Sequence, residues 1–157
     1  MNKKGFTLVE LLAVIAILAI LVIIALPNVL KMFNDSKKNS FVNETREVFK
    51  TAQTQFVSDN LTHPGAVTYS NNLKKACNPA TGKLEMQGRA VDGGQLAYSI
   101  TLDAEGKVTS IKVSDGTYSY TGTKPEGKDM DASDITADTV TTGDSYADAT
   151  CTATTTP

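Results

Sequence analysis

Glu10 is the residue whose chemistry most needs an explanation, because it stands at the head of a long apolar run. Lys3 and Lys4 precede it, and sixteen consecutive apolar residues, Leu11 to Leu26, follow it. An ionised side chain near the middle of a membrane-spanning helix costs about 2.5–3.5 kcal/mol on insertion scales. A carboxylate that is buried in such surroundings therefore needs a partner that offsets this cost.

Two further groups of residues are candidate sites. The chain has two cysteines, Cys77 and Cys151. An even number of cysteines in a chain that can be exported favours a disulfide between them, and two unrelated thiols are the alternative. Asp129, Asp131 and Asp134 offer carboxylates at positions i, i+2 and i+5, which makes them a weak calcium candidate. The stretch lacks the central glycine and the terminal glutamate of an EF-hand, so a solvated acidic loop is the favoured interpretation.

The sequence contains no constellation typical of an enzyme. Its single histidine, His63, stands beside Pro64 without a catalytic group next to it, and the glycines form no phosphate-binding pattern. The formal net charge is −2, and the region after Asp103 is rich in acidic residues, which disfavours phosphate-bearing partners. We therefore predict that the chain is not an enzyme, needs no cofactor and does not bind nucleic acid in general.

The apolar run predicts a helix that is long enough to span a bilayer. The stretch from Phe6 to Leu26 has 21 residues, of which only Thr7 and Glu10 are polar. At about 1.5 Å per residue it is roughly 31 Å long, which is close to the hydrocarbon thickness of a membrane. Pro27 then predicts a kink or a turn that melts on packing, with the end of the helix as the alternative.

The pattern beyond Pro27 indicates that the helix resumes. One face repeats at spacings of four, three, four and four residues: Phe41, Thr45, Val48, Ala52 and Phe56. The sequence thus predicts one helix from Phe6 to about Ser58, with a membrane half at 6–27 and an amphipathic half at 28–59. The stripe of the second half should pack on a globular part, 60–157.

Alternating residues predict an antiparallel sheet at about 95–122 within this globular part. The apolar positions of its three strands are Leu96, Tyr98, Ile100 and Leu102, then Ile111 and Val113 with Thr109 on the same face, and then Tyr118 and Tyr120. A helix laid on such a sheet gives an α+β fold. The Thr- and Asp-rich tail has too few apolar residues for a core of its own.

The stretch KKGFTLVELL, residues 3–12, resembles the processing site of type IV prepilins and of the related pseudopilins of type II secretion systems. The resemblance implies a leader, 1–5, which a prepilin peptidase removes by cutting between Gly5 and Phe6, and N-methylation of Phe6. It implies that Glu10 pairs with the N-terminal amine of a neighbouring subunit and sets the register, and that Pro27 is a kink. An ordinary signal peptide fits less well, because no small-x-small cleavage site follows the apolar run.

The resemblance also implies a pilin-like fold and a function. The chain would be a pilin that polymerises into a type IV pilus, with 6–27 as the filament core. A pseudopilin of a type II secretion or competence machine is the alternative, and a membrane-anchored binding domain that never polymerises is the alternative from another class. In many pilins a disulfide closes the C-terminal loop, as Cys77 and Cys151 would here, although the family's loop is often shorter.

Partners and location follow from the same resemblance. The implied partners are further copies of the chain, the prepilin peptidase, a membrane assembly platform with its ATPase, and the lipid bilayer before assembly. Nucleic acid would be a partner only through a DNA-uptake filament. The chain would cross the inner or cytoplasmic membrane once before assembly and would lie in an extracellular surface filament afterwards.

Overall fold

The computed structural model describes residues 5–71, 82–88 and 96–143. These residues contain the helix α1 (Leu8–Asp59) and the strands β1 (Val67–Ser70), β2 (Ala97–Leu102), β3 (Val108–Ser114), β4 (Tyr118–Thr123) and β5 (Thr141–Thr142). Two short 3₁₀ turns, Ala132–Asp134 and Ala137–Thr139, lie between β4 and β5 in the chain. The chain divides into two compact units, Met1–Lys37 and Lys38–Pro157.

The first unit contains the apolar part of α1. Its large apolar side chains from Leu8 to Phe33 are exposed by 46% (Val14) to 79% (Leu8). An 18-residue window of α1 has a mean hydropathy of 3.2 and is not buried, so the helix could cross a membrane by length and composition, a test that a signal sequence also passes. Pro27 lies inside α1, so the alternative in which the helix ends at this proline is wrong.

The second unit contains the amphipathic part of α1, which packs on the sheet. The predicted stripe is confirmed, and Val42 and Phe49 widen it, since they are also buried. The one hydroxyl in the stripe, that of Thr45, donates a hydrogen bond of 2.9 Å to the carbonyl oxygen of Phe41. A polar group can be buried at little cost when it is bonded in this way.

The sheet is antiparallel throughout, and its strands lie in the order β1-β2-β3-β4-β5. In β2 the buried and half-buried residues alternate strictly, as expected for a sheet with one face on the core. The core lies between that face and the helix stripe, and its largest fully buried side chains are Tyr69, Tyr98, Phe41 and Phe49. The α+β layout with a long helix on a small sheet is therefore the predicted, pilin-like one.

A bulge changes the register between β2 and β3. The pairing slips at Leu102 and leaves Thr109 as an extra residue in β3. As a result Val108 and Ile111 both face the core although they are three residues apart, while Thr109 is only half-buried. The prediction that Thr109 shares the buried face with Ile111 and Val113 is wrong, because Thr109 is the extra residue of the bulge and Val108 takes the buried position before Ile111.

The structure adds two strands and part of the tail to the predicted core. The short strands β1 and β5 form the two edges of the sheet and lie outside the predicted range of 95–122. Met130, Ile135 and Val140 come from the polar tail, yet all three are buried in the same core. The described part of the tail, up to residue 143, thus contributes to the main core.

Candidate assembly site at the helix N-terminus

The side chain of Glu10 is bonded to Thr7 at the first turn of α1. The backbone N–H and the hydroxyl of Thr7 each donate a hydrogen bond of 2.8 Å to Oε2 of Glu10. In return, the N–H of Glu10 donates a bond of 3.3 Å to Oγ1 of Thr7. This reciprocal arrangement is a capping box, which satisfies backbone N–H groups that have no partner inside the helix.

The capping box explains where the helix begins and how the carboxylate is held. Threonine is a favoured N-cap residue, and a glutamate three residues later completes the pattern Thr-x-x-Glu, so Leu8 becomes the first helical residue. Oε2 receives both donors from Thr7, whereas Oε1 accepts no hydrogen bond from the residues that the structure describes. The carboxylate is therefore fixed through one of its two oxygens.

Thr7 is a site residue that the sequence analysis did not single out. The signal for it was present, since a threonine and a glutamate at this spacing before an apolar run are typical of a helix start. Both residues are exposed. The carboxylate is thus accessible to a group on another molecule.

Gly5 and Phe6 precede the helix. Neither has a helical backbone, and the side chain of Phe6 is 79% exposed. A Cβ atom added to Gly5 would have no neighbour within 4 Å. The bond between these residues thus lies in open, non-helical chain, while the preceding residues 1–4 lie outside the described part of the structure.

Phe6 lies four positions before Glu10 and two positions before Leu8, the first residue of the helix. A second copy that is displaced by the distance between Phe6 and Glu10 would bring its N-terminus level with the carboxylate of the first. Pro27 is far from this position and lies within the helix. Its predicted role as a kink stays a prediction.

The structure gives the three candidate calcium ligands separate protein partners. Asp129 forms ion pairs with Lys107 (2.6 Å) and Lys124 (3.1 Å). Asp131 accepts a bond of 2.8 Å from the N–H of Ser133. Asp134 accepts bonds from Nζ of Lys128 (3.0 Å) and from the N–H of Asp131 (2.9 Å).

These contacts favour the ionised form of all three carboxyl groups. Hydrogen bonds from Lys107 and Lys124 lower the pKa of Asp129, and in return the bond to Asp129 raises the pKa of Lys107. The bonds from Ser133 lower the pKa of Asp131. Those from the Asp131 backbone and then from Lys128 lower the pKa of Asp134.

The described residues contain no group of three or more His, Cys, Asp or Glu side chains that could hold a metal ion. The loop is tied together by lysines and backbone N–H groups instead. The other predicted site, the disulfide between Cys77 and Cys151, involves two residues that lie outside the described part of the structure. It stays a prediction.

Comparison with known families adds one finding. Residues 1–26 match the prokaryotic N-terminal methylation motif. This motif is the class III signal of type IV pilins and pseudopilins, a structural and non-enzymatic group of proteins. No curated protein and no solved structure matched the chain. The match covers the predicted leader, the Gly5–Phe6 bond, Glu10 and the apolar run, and it supports a type IV pilin or pseudopilin precursor.

Proposed function

We propose that the chain is the precursor of a type IV pilin, which is cut between Gly5 and Phe6, methylated at the new N-terminus and polymerised into a surface filament. The observation that carries the proposal is the methylation motif at residues 1–26, which overlaps the apolar part of α1. The apolar side chains of this part are not buried by the described residues. Exposed apolar side chains along the whole of that helix are stable in water only if lipid or other helices cover them. A bilayer would cover them before assembly, and neighbouring copies would cover them in a filament.

Glu10 supports the polymerising role. Hydrolysis of the Gly5–Phe6 bond creates an amine at Phe6, and an amine that carries one methyl group still binds a proton. Thr7 holds the Glu10 carboxylate by one oxygen, which leaves Oε1 for the amine of the next copy. Two charges that are withdrawn from water are tolerated when they are paired with good geometry, so only the correct displacement between copies would neutralise both groups.

The second unit supports a subunit that carries a folded domain to the outside. The amphipathic part of α1 supplies six buried apolar residues to a core that it shares with the sheet. The helix residues of the first unit remain exposed. One stretch of chain therefore has a polymerising part and a folded part, as a filament subunit requires.

A pseudopilin of a type II secretion or competence machine is the second candidate, because the methylation motif belongs to both classes. The location of the processed chain distinguishes them. A pilin is found in long fibres that shearing releases from cells, whereas a pseudopilin stays with the envelope. A non-polymerising anchor is the third candidate, and it predicts that the charge of Glu10 has no effect on the location of the chain.

The experiment is to express the chain with and without prepilin peptidase and to determine the N-terminus and mass of the membrane-bound form. The proposal predicts a chain that begins at methylated Phe6 only when the peptidase is present. Gly5→Val is the matched control, because it leaves the apolar helix unchanged and alters only the cleavage position. A chain that still begins at Met1 with active peptidase would contradict the proposal.

A further inference from the structure

Two grooves of opposite charge border the amphipathic part of α1. The first, here the basic groove, has a volume of about 300 Å³ and is lined by Arg46, Phe49, Lys50, Gln53 and residues 131–133. The second, here the acidic groove, has a volume of about 330 Å³ and is lined by Thr51, Thr54, Gln55, Ser58, Asp59 and Glu85. Both lie within the second unit, 38–157.

The basic groove is built to receive an acceptor. Nε of Arg46 donates a bond of 2.9 Å to the carbonyl oxygen of Ile135, which fixes the guanidinium and leaves its terminal nitrogens for another group. Lys50 is exposed on the next turn of the helix. Asp131 is the one carboxylate among the lining residues, and it already accepts a hydrogen bond from Ser133. The groove thus has a positive formal charge.

The acidic groove is held in place by Gln55. Its Nε2 donates a bond of 3.0 Å to the carbonyl oxygen of Lys83, and its Oε1 accepts a bond of 2.9 Å from the N–H of Glu85. Glu85 is therefore fixed by its backbone while its side chain is exposed. Oδ2 of Asp59 accepts a bond of 2.7 Å from the hydroxyl of Tyr69, so this carboxylate is fixed as well.

The positions of the two grooves on the helix suit a contact between identical copies. At 100° per residue, the helix residues of the two grooves point in directions that differ by roughly 150°. Their centres are separated by five to six residues, or about 8 Å along the axis. One copy can therefore use its basic groove on one side and its acidic groove on the other at the same time.

We propose that the basic groove of one copy binds the acidic groove of the next, with Lys50 and Arg46 facing Glu85 and Asp59. The proposal rests on the proposed filament function and deepens it, because it names a second contact between copies, in the folded unit. A contact between two different surfaces of the same molecule is head-to-tail and builds an open helical polymer when the rotation does not close.

The direct test is cross-linking of the full-length chain in whole cells. A mixture of unlabelled and ¹⁵N-labelled chains, treated with a carbodiimide that joins amines to carboxylates, distinguishes links between copies from links within one. The expected result is an inter-copy link from Lys50 to Glu85 or Asp59, in the sheared fibres and in the membrane fraction. Inter-copy links that leave Lys50 out would overturn the proposal.

Charge exchange gives a second, independent readout. Lys50→Glu and Glu85→Lys should each lower the yield of sheared fibres about fivefold, the size expected when an exposed pair becomes repulsive. The double variant K50E/E85K should restore both the yield and the inter-copy link, since glutamate and lysine have only exchanged places. Glu126→Lys makes the same charge change as Glu85→Lys, but at an exposed position outside both grooves, and should leave the yield of sheared fibres unchanged.

The outcomes separate this proposal from the proposed function. If wild type forms no fibres but the inter-copy link is present in membranes, the filament function fails and the groove contact stands. If fibres form and K50E, E85K and wild type give equal yields, the groove contact fails and the filament function stands. If K50E removes DNA from the fibres without changing the inter-copy links, the basic groove belongs to nucleic acid and the proposal is wrong.

Discussion

Replacing Glu10 by glutamine separates the two roles that this side chain can have. Glutamine completes a capping box as glutamate does, so the bonds from Thr7 to the side chain should remain. The charge, however, is lost. If Glu10 serves only to start the helix, E10Q should behave like wild type; if it neutralises the amine of the next copy, E10Q should fail to assemble.

The size of the expected effect follows from the energetics of buried ion pairs. In a filament core made of apolar helices, removing one member of a buried ion pair leaves the other charge unpaired and costs about 3–5 kcal/mol for each contact. At about 1.4 kcal/mol per factor of ten, the affinity between copies falls by roughly two to three and a half orders of magnitude. In the bilayer a neutral glutamine is no more costly than a carboxylate, so membrane insertion should not decrease.

The assay compares the amount of chain in sheared fibres with the amount in membranes, and measures helix content by circular dichroism in detergent. E10Q should keep its helix content and its membrane-bound form, and should yield almost no fibres. The companion variant Thr7→Val keeps the charge but loses the cap, at a cost of about 0.5–2 kcal/mol, so its fibre yield should fall by less. Normal fibre yield from E10Q, together with loss from Thr7→Val, would refute the ion-pair reasoning and leave only the capping role.

Three further predictions concern the folded unit and are measured by urea unfolding of the full chain in detergent. Gly106→Ala should destabilise it by about 2–4 kcal/mol, because Gly106 has φ +81° and an added Cβ would lie 2.8 Å from Cδ1 of Phe56. The control Gly116→Ala should cost only about 1–2 kcal/mol, because Gly116 has a similar φ of +85° but no neighbour within 4 Å of the added Cβ. Equal losses of stability would contradict the contact with Phe56. Tyr69→Phe should cost about 1.5 kcal/mol, since it removes the hydrogen bond to Asp59, and an unchanged stability would show that water replaces this bond. Asp129→Asn should destabilise the unit at neutral pH, because the pKa of Asp129 in the folded state lies below its unfolded value near 4. The ionised carboxylate therefore adds to the free energy of unfolding above pH 4, and this stabilisation is lost as the pH falls through the folded pKa. The difference between this variant and wild type should therefore vanish in acid, and a difference that is independent of pH would contradict the ion pairs with Lys107 and Lys124.

The long helix and the central strands could be predicted because their sequences are strongly periodic. The stripe from Phe41 to Phe56 repeats as a helix face does, and alternation over β2 can be satisfied only by a strand. The register of β3 could not be predicted in the same way. Thr109 fits a buried or an exposed strand position equally well, so only the pairing with β2 reveals the bulge.

The edges of the sheet were missed for a related reason. Strand β5 has two residues, and β1 has four, which is too short for alternation to be recognised. Their positions depend on contacts between distant parts of the chain, such as the bond of 3.0 Å between the hydroxyls of Thr68 and Thr101. The burial of Ile135 is of the same kind, since its carbonyl oxygen accepts a bond from Arg46 on the helix.

The candidate site was largely visible in the sequence because its chemistry is local. Gly5, Phe6 and Glu10 are recognised by type and spacing, without knowledge of the fold. The part played by Thr7 required the geometry, since only the structure shows that both of its donors reach the same carboxylate oxygen. The three aspartates of the tail show the reverse: their spacing made them a weak calcium candidate beside the favoured acidic loop, and only the structure shows the lysines and backbone N–H groups that bind them.

The central claim is that this chain is processed at Gly5–Phe6 and then becomes part of a surface filament. The measurement that tests it most directly is the intact mass of the chain in filaments sheared from cells, before and after reduction. We predict the mass of Phe6 to Pro157 with one added methyl group, and an increase of two hydrogens on reduction if Cys77 and Cys151 are joined. Sheared filaments without this chain, or a cellular form that still begins at Met1, would contradict it.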